Sequence, residues 1–379
     1  MISTLGSRLQ STSALAIVLT GDLVLDVERP DYWLGGIAPA LQGADLAIGH
    51  LEVPHTRRGD ELPGDVPAPG ADPAHLSALA RAGFDAVTLG GNHIADRGAE
   101  GIDDTIAELD RLGIAHSGAG ANLSIARRPA FLERGGRRVA VLSYNCVGPE
   151  AGWATPERAG CAYLRMASFD GAPIVPTSAI RSPTEEAVQV LREDIAAALR
   201  DADLIIVALH KGIVHTPVRV AEYERLIANA AIDSGAHVVV GHHAHIIRGV
   251  EFHAGWPVFH GLGNGCVVTR ALSPDQDHPA RVAWVERRKK LFGFEPDPAF
   301  TLAPFHPEAV NAMLGRILWH EDGRLETGVI PVVVEAPGRP VLAHGDPATR
   351  VVDYLLRISR DAGLPGLNAR MRDDMAVLQ

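Results

Sequence analysis

The chain has 379 residues, 46% hydrophobic and 21% charged, so it can bury a large core and lies outside the composition of disordered proteins. With 46 acidic against 35 basic residues the formal charge is −11, which removes broad electrostatic attraction to nucleic acid or an anionic membrane. Three scattered cysteines, Cys146, Cys161 and Cys266, form no C-x-x-C and exclude a disulfide scaffold or a cysteine-based zinc module.

The first apolar run leads into Gly21-Asp22 without a small-residue cleavage pattern, so it reads as a strand rather than a leader. No stretch reaches the roughly 18 apolar residues of a membrane span, and a cytoplasmic protein is expected. Continuous apolar runs at Ala14–Leu19, Ala44–Ile48, Ala86–Leu89, Val139–Ser143, Leu204–Leu209 and Val238–Val240 predict strands buried on both faces. Helical spacing predicts helices over Asp72–Ala82, Ile102–Leu112, Glu185–Ala202 and Ala221–Ser234. Alternation of the two predicts an α/β fold with helix-covered sheets.

Pro- and Gly-rich pieces at Arg57–Gly70, Gly148–Gly160 and Leu272–Pro307 read as irregular. The third carries Trp284 and the basic run Arg287-Arg288-Lys289-Lys290, read as a solvated face. Gly328–Val334 then reads as a strand and Ala348–Ala362 as a closing amphipathic helix. One domain over 1–379 is expected, with 272–307 as a long loop or lid and 328–375 as closing strand and helix.

Chemistry-bearing residues gather just after the predicted strands, where open α/β sheets place their sites. They are Gly21-Asp22, His50-Leu51-Glu52, Gly91-Asn92-His93 with Asp96, His210-Lys211, and Gly241-His242-His243-Ala244-His245. Each alone has an ordinary structural explanation: a turn, a surface carboxylate, a hydrogen-bonded histidine, or for Asp96 a helix cap. Five in order, mixing oxygen and imidazole donors, suit a divalent cation such as Mn, Zn, Fe, Mg or Ca. No G-x-S-x-G elbow is present, which weighs against serine hydrolysis.

The ordered set GD, x-LE, GGNHxxDxG, a strand-end His, GHHxH and Leu262-Gly263-Asn264 resembles the CapA branch of the calcineurin-like metallophosphatases, named for capsular poly-γ-glutamate synthesis. The resemblance runs from about Leu15 to Val268, and the later RRKKLFGFEPDPAF segment is similar as well. It implies a four-layer α/β sandwich with two mainly buried sheets flanked by helices. It implies Asp22, Glu52, Asn92, His210, His243 and His245 as metal ligands, and His93 as acid/base residue oriented by Asp96. His242 reads as a donor behind the ligands or a further pocket imidazole, and His50 and His260 are further pocket candidates.

The sequence departs from that pattern in two places. Two-metal phosphatases carry a histidine where Val24 stands and a GDxxD aspartate where this chain has His50-Leu51-Glu52, so one metal position is expected to be weak or lost. A cation that grips a carboxylate stabilises charge developing at a neighbouring carbon, and a histidine can take and return the proton.

The leading expectation is therefore a metal-assisted acid/base enzyme on a peptide; the resemblance, through CapA-like proteins encoded beside ribosomally made peptides, implies most specifically a Cα epimerase for the C-terminal residue of a lasso-type precursor. Such a substrate would be held through its C-terminal carboxylate, with neither nucleic acid nor membrane as partner. The alternatives are a phosphoester or amide hydrolase, a poly-γ-glutamate-related activity, and a non-catalytic binding protein. A two-thiol racemase through Cys146 and Cys266 is disfavoured because free cysteines usually pack. Trp33, Trp153, Trp284 and Phe305 are candidates for an apolar substrate pocket.

Overall fold

A computed structural model describes residues 14–62, 68–273 and 277–379. Parts of two segments read as irregular, 63–67 and 274–276, lie outside it, as does the stretch before Ala14.

All six apolar runs are strands. Leu15–Leu25, Leu46–Leu51, Ala86–Thr88 and Ala115–Ser117 run parallel in a ten-stranded sheet, which Asn311–Trp319, Leu325–Glu335 and the closing Ala369–Arg372/Met375–Leu378 hairpin extend in antiparallel fashion. Arg137–Asn145, Leu204–His210, Val238–His242 and Trp256–Phe259 are the parallel centre of a six-stranded sheet.

Side-chain alternation along the first strand shows why two sheets must stack. Ile17 and Leu19 face Val139, Val141, Ile206 and Val240 of the other sheet. Val18 and Leu23 face outward onto Leu79, Ile102 and Leu109 of the covering helices. The second sheet does the same, turning Ile205, Val207 and Val239 toward the helices Glu185–Ala198 and Glu222–Asp233. The expected four layers, helix, sheet, sheet and helix, are present.

Two readings of the chain need correction. The segment Leu272–Pro307 is not irregular throughout, because Pro279–Phe292 is a 14-residue helix started by Pro279 and closed by left-handed Gly293. Its polar residues are spread around the barrel and only Arg288 is buried, so no apolar period marks it. That burial is the second correction, since the basic run is not uniformly a solvated face. The predicted helix Gln189-containing 185–202 is ordered as Glu185–Ala198, capped by Thr184, whose hydroxyl accepts from the Ala187 amide.

Candidate metal centre

The carboxyl ends of the parallel strands from both sheets meet at one place. Asp22 lies beside His50 on one neighbouring strand and beside Asn264 on the other, and the strand shifts register just before it. This crossing needs glycine at position 21, where a Cβ would lie 1.8 Å from the Gly263 carbonyl oxygen. In the second sheet His210 stands between Asn145 and His242.

Six side chains close on one another here. Asp22, His50 and His210 form one triad of potential ligand atoms, Glu52, His210 and His243 a second, and Asp22, Glu52 and His245 a third, each within 4.8 Å. Asn92 Oδ1 is 2.7 Å from His210 Nε2, and His245 Nε2 is 3.4 Å from Glu52 Oε1. All the ligands implied by the resemblance are thus brought together, and His50, read only as a pocket candidate, joins them. Its Nδ1 is tied to Thr88 Oγ1 at 2.9 Å, which directs Nε2 inward. A Cβ on Gly91 would sit 2.9 Å from that nitrogen.

The donor set fits a divalent cation. Both carboxylate oxygens of Glu52, both ring nitrogens of His243, Nδ1 of His210 and Nε2 of His50 are buried without hydrogen-bond partners, an arrangement that native interiors avoid unless something else binds there. Burial holds the His50 and His210 imidazoles far below their ordinary pKa and His243 at about 3, leaving neutral lone pairs as metal ligation requires. Burial and the neighbouring Glu52 carboxylate raise Asp22 to about 8. Burial would raise Glu52 too, but the charge of His245 draws it down to about 2. Two carboxylates forced together out of water call for positive charge between them. Backbone strain marks the same place: His243 at φ 94° and His245 at φ 53° are left-handed without being glycine.

His242 stands behind this layer. It is stacked on His50 at 4.5 Å and its Nε2 faces the Thr20 carbonyl at 3.2 Å, in keeping with a supporting role. His260 is a correction: it is no part of this cluster. Its Nε2 meets Glu251 at 2.9 Å and its Nδ1 faces Lys211 Nζ at 3.0 Å. A fully buried ion network continues from there, Glu224 lying 3.4 Å from Lys211 and 3.0 Å from Arg248.

That network has a testable energetic consequence. Burial alone would raise Glu224, but Arg248 and then Lys211 pull it down to about 2. A depressed carboxylate contributes stability that is complete above its ordinary value of 4.5 and is lost as pH falls towards 2. Glu224→Gln should cost roughly 3 kcal/mol in urea unfolding at pH 7, because it strands two buried cations. The difference from the parent should shrink on acidification through that window; a constant difference from pH 7 to pH 3 would refute the assignment.

His93 stands where the centre opens to solvent. Its Nδ1 is 2.6 Å from Asp96 Oδ2, and the same carboxylate oxygen accepts the Ala68 amide at 2.6 Å. Asp96 therefore engages His93 Nδ1 rather than capping the following helix.

Outside lies a cleft enclosing about 130 Å³, with Glu52, Asn92, His93, His243 and His245 at its base. Val24, Val53, Val267, Leu272, Trp284 and Phe305 make its walls largely apolar. Of the four aromatic candidates, Trp284 and Phe305 line it. Trp153 is instead buried in a stack with Tyr163 at 4.1 Å, and Trp33 packs on the outer core. Val24 meets the cleft as bare hydrocarbon at the position where two-metal phosphatases, by the resemblance, offer an imidazole. Cys146 and Cys266 are buried with thiols pushed up, Cys146 to about 12, unsuited to proton transfer.

Sequence reasoning missed His215, a buried cleft residue at φ 54° whose Nδ1 has no hydrogen-bond partner. Its ring packs 5.5 Å from Phe305 and 6.0 Å from His245. It follows a tight turn at Gly212, and nothing in its local spacing distinguishes it from a loop histidine.

A four-layer α/β sandwich with a buried imidazole–carboxylate cluster at its converging strand ends defines a protein with a candidate divalent-metal site. The chain belongs to the bacterial capsule synthesis protein family PGA_cap, whose pattern matches residues 12–267. It is 31% identical over 268 residues to a probable polyglutamine synthesis accessory protein of Mycobacterium tuberculosis, covering 66% of this chain and 63% of that one. It is 24% identical over 265 residues to the capsule biosynthesis protein CapA of Bacillus anthracis, covering 66% and 59%. The similarity thus spans about three-fifths of these relatives' length. Among solved structures, a calcineurin-like phosphoesterase of Bacillus subtilis shares 13% identity at a TM-score of 0.37 over 92% of this chain and 97% of that one. Among the described residues no helix is long and apolar enough to cross a membrane.

Proposed function

We propose that this protein is a divalent-metal-dependent acid–base enzyme acting on a peptide-type chain. One observation carries the reading: the His93–Asp96 dyad, at 2.6 Å, stands at the mouth of the ligand cluster inside a mainly apolar cleft. Mere binding of a ligand would not require a carboxylate-oriented imidazole there. Asp22, Glu52, Asn92, His50, His210, His243 and His245 would hold the metal, which when bound supplies Lewis acidity to a substrate carbonyl or carboxylate. His93 would then take or deliver a proton from Nε2 while Asp96 keeps its tautomer.

On the strength of the family, the substrate is an amide-linked glutamate chain and the proton transfer serves amide hydrolysis or transfer. A second reading is Cα epimerisation of a C-terminal residue, as in lasso-type precursor peptides. It is favoured by the walls of Val24, Val53, Val267, Leu272, Trp284 and Phe305, which suit an apolar side chain better than a row of carboxylates.

The experiment is incubation of the metal-loaded protein in heavy water with γ-linked glutamate oligomers and, separately, with peptides ending in an apolar residue. Amide cleavage suppressed by a chelator is the first reading's expected result. Uptake of one deuterium at the terminal Cα, equally suppressed, selects the second. Chelator-insensitive turnover, or none on either substrate class, would overturn the proposal.

A further inference from the structure

The basic run splits in three dimensions. Arg287 and Lys290 are exposed and Lys289 pairs with Glu295 at 3.1 Å, whereas Arg288 is 1% exposed. The Nε and Nη1 of Arg288 are buried and have no hydrogen-bond partner among the described residues. The Phe294 ring, 5.8 Å away, offers a face but no acceptor. The Glu295 carboxylate, paired with Lys289, acts on Arg288 through its charge without a hydrogen bond to these nitrogens, and a guanidinium kept out of water without a hydrogen-bonded anion is a costly arrangement whose partner interiors normally supply.

Helical spacing tells which way this side chain lies. Arg281, Trp284 and Arg288 follow one another at intervals of three and four, so they share one face of the helix Pro279–Phe292. Arg281 and Trp284 line the cleft, and Arg288 lies behind that lining, beside the Phe294 ring. Arg281 is already engaged with Glu61 at 3.3 Å. His215, which lines the same cleft, feels the Arg288 charge and holds its own buried Nδ1 unpaired. The Phe294 ring that Arg288 approaches lies 5.2 Å from His215.

We propose that Arg288, flanked by His215, is the receptor for a carboxylate of the substrate, so that the cleft selects a chain presenting an anionic group. The inference rests on the peptide-type substrate argued above and adds the group that recognises it. A planar fork of donors matches a carboxylate in two parallel hydrogen bonds, which neither Lys nor an isolated imidazole reproduces. The carboxylate is either the chain's own terminus or the pendant α-carboxylate of a γ-linked glutamyl unit, and the probes separate these.

The test is calorimetric binding to the metal-loaded full chain. The probes are a Gly-Ala hexapeptide ending in Leu, as free acid and as C-terminal amide, and a γ-linked pentaglutamate. The parent should bind one carboxylate probe roughly tenfold or more tightly than the neutral amide. Preference for the free-acid hexapeptide assigns the chain terminus, and preference for pentaglutamate alone assigns the pendant α-carboxylate. In Arg288→Met the preference should fall to about twofold or less, with amide binding near the parent's; Arg288→Lys should recover only part of it. Should the methionine variant not fold, Arg288→Lys and His215→Gln read the same ratio, and a full parental preference in both overturns the proposal. It is likewise overturned if the parent shows no preference, if none of the probes binds, or if Arg288→Met keeps the full preference. The ratio needs no turnover, so a failure of the acid–base reading leaves this result separately visible.

Discussion

His93→Ala should lower turnover by about 10²–10⁴-fold, the range that one positioned acid–base group supplies, while metal content and thermal midpoint stay at the parent's values. The separation follows from where His93 sits. Its imidazole is in the cleft, not among the triads of ligand atoms, and its side chain keeps 22% of its surface exposed, so truncation removes little packing. Asp96→Asn is the companion variant. It preserves shape but replaces the charged carboxylate, whose Oδ2 accepts both from His93 and from the Ala68 amide, with a neutral amide. Turnover should fall substantially and the pH–rate profile should change shape, because the imidazole loses the partner that fixes its tautomer. Full activity in His93→Ala would remove this residue from the chemistry altogether.

Glu52→Ala and His245→Ala should each weaken metal binding by more than the roughly 10–100-fold that accompanies loss of a ligand's supporting hydrogen bond. Glu52 brings two buried oxygens with no hydrogen-bond partner and belongs to two of the three overlapping triads. His245 lies 3.4 Å from Glu52 and 3.0 Å from Asn264 Oδ1, so it is already aimed at the centre by its neighbours. A chelator should lower the thermal midpoint of the parent, where removing a cation leaves Asp22 and Glu52 facing each other, and should do so much less in Glu52→Ala. Metal analysis and melting curves report these effects without any substrate. Unchanged metal content in both variants would show that the cluster is structural.

Taken together, the expected results of the two sets of variants would separate residues that hold a metal from residues that move a proton. The division matters for choosing between amide cleavage and epimerisation, since both need the metal and the dyad but only epimerisation needs a proton returned to the same carbon. His215 lies in the same cleft with an unpaired nitrogen, and the rate of proton exchange in His215→Gln is the natural companion measurement.

Much of the architecture was legible in the residues. A strand buried on both faces must be apolar throughout, so Leu204–Leu209 and Val238–Val240 announced a parallel sheet without reference to anything else in the chain. The cluster of candidate ligands was legible for a related reason: a parallel sheet presents its strand ends together, so His210 and the Gly241-His242-His243-Ala244-His245 turn had to emerge on one edge. What local pattern could not carry was decided by packing between distant segments. His260 follows a strand as the ligands do, yet it turns into the ion network because Lys211 and Glu251 wait there. The helix Pro279–Phe292 has no apolar stripe, and its place over the cleft depends on Trp284, Phe292 and Phe305 meeting His215 and the valines of other elements. Periodicity reports which face of an element avoids water; it does not report which distant side chain supplies that shelter, and so Arg288 and His215 became visible only in the folded chain.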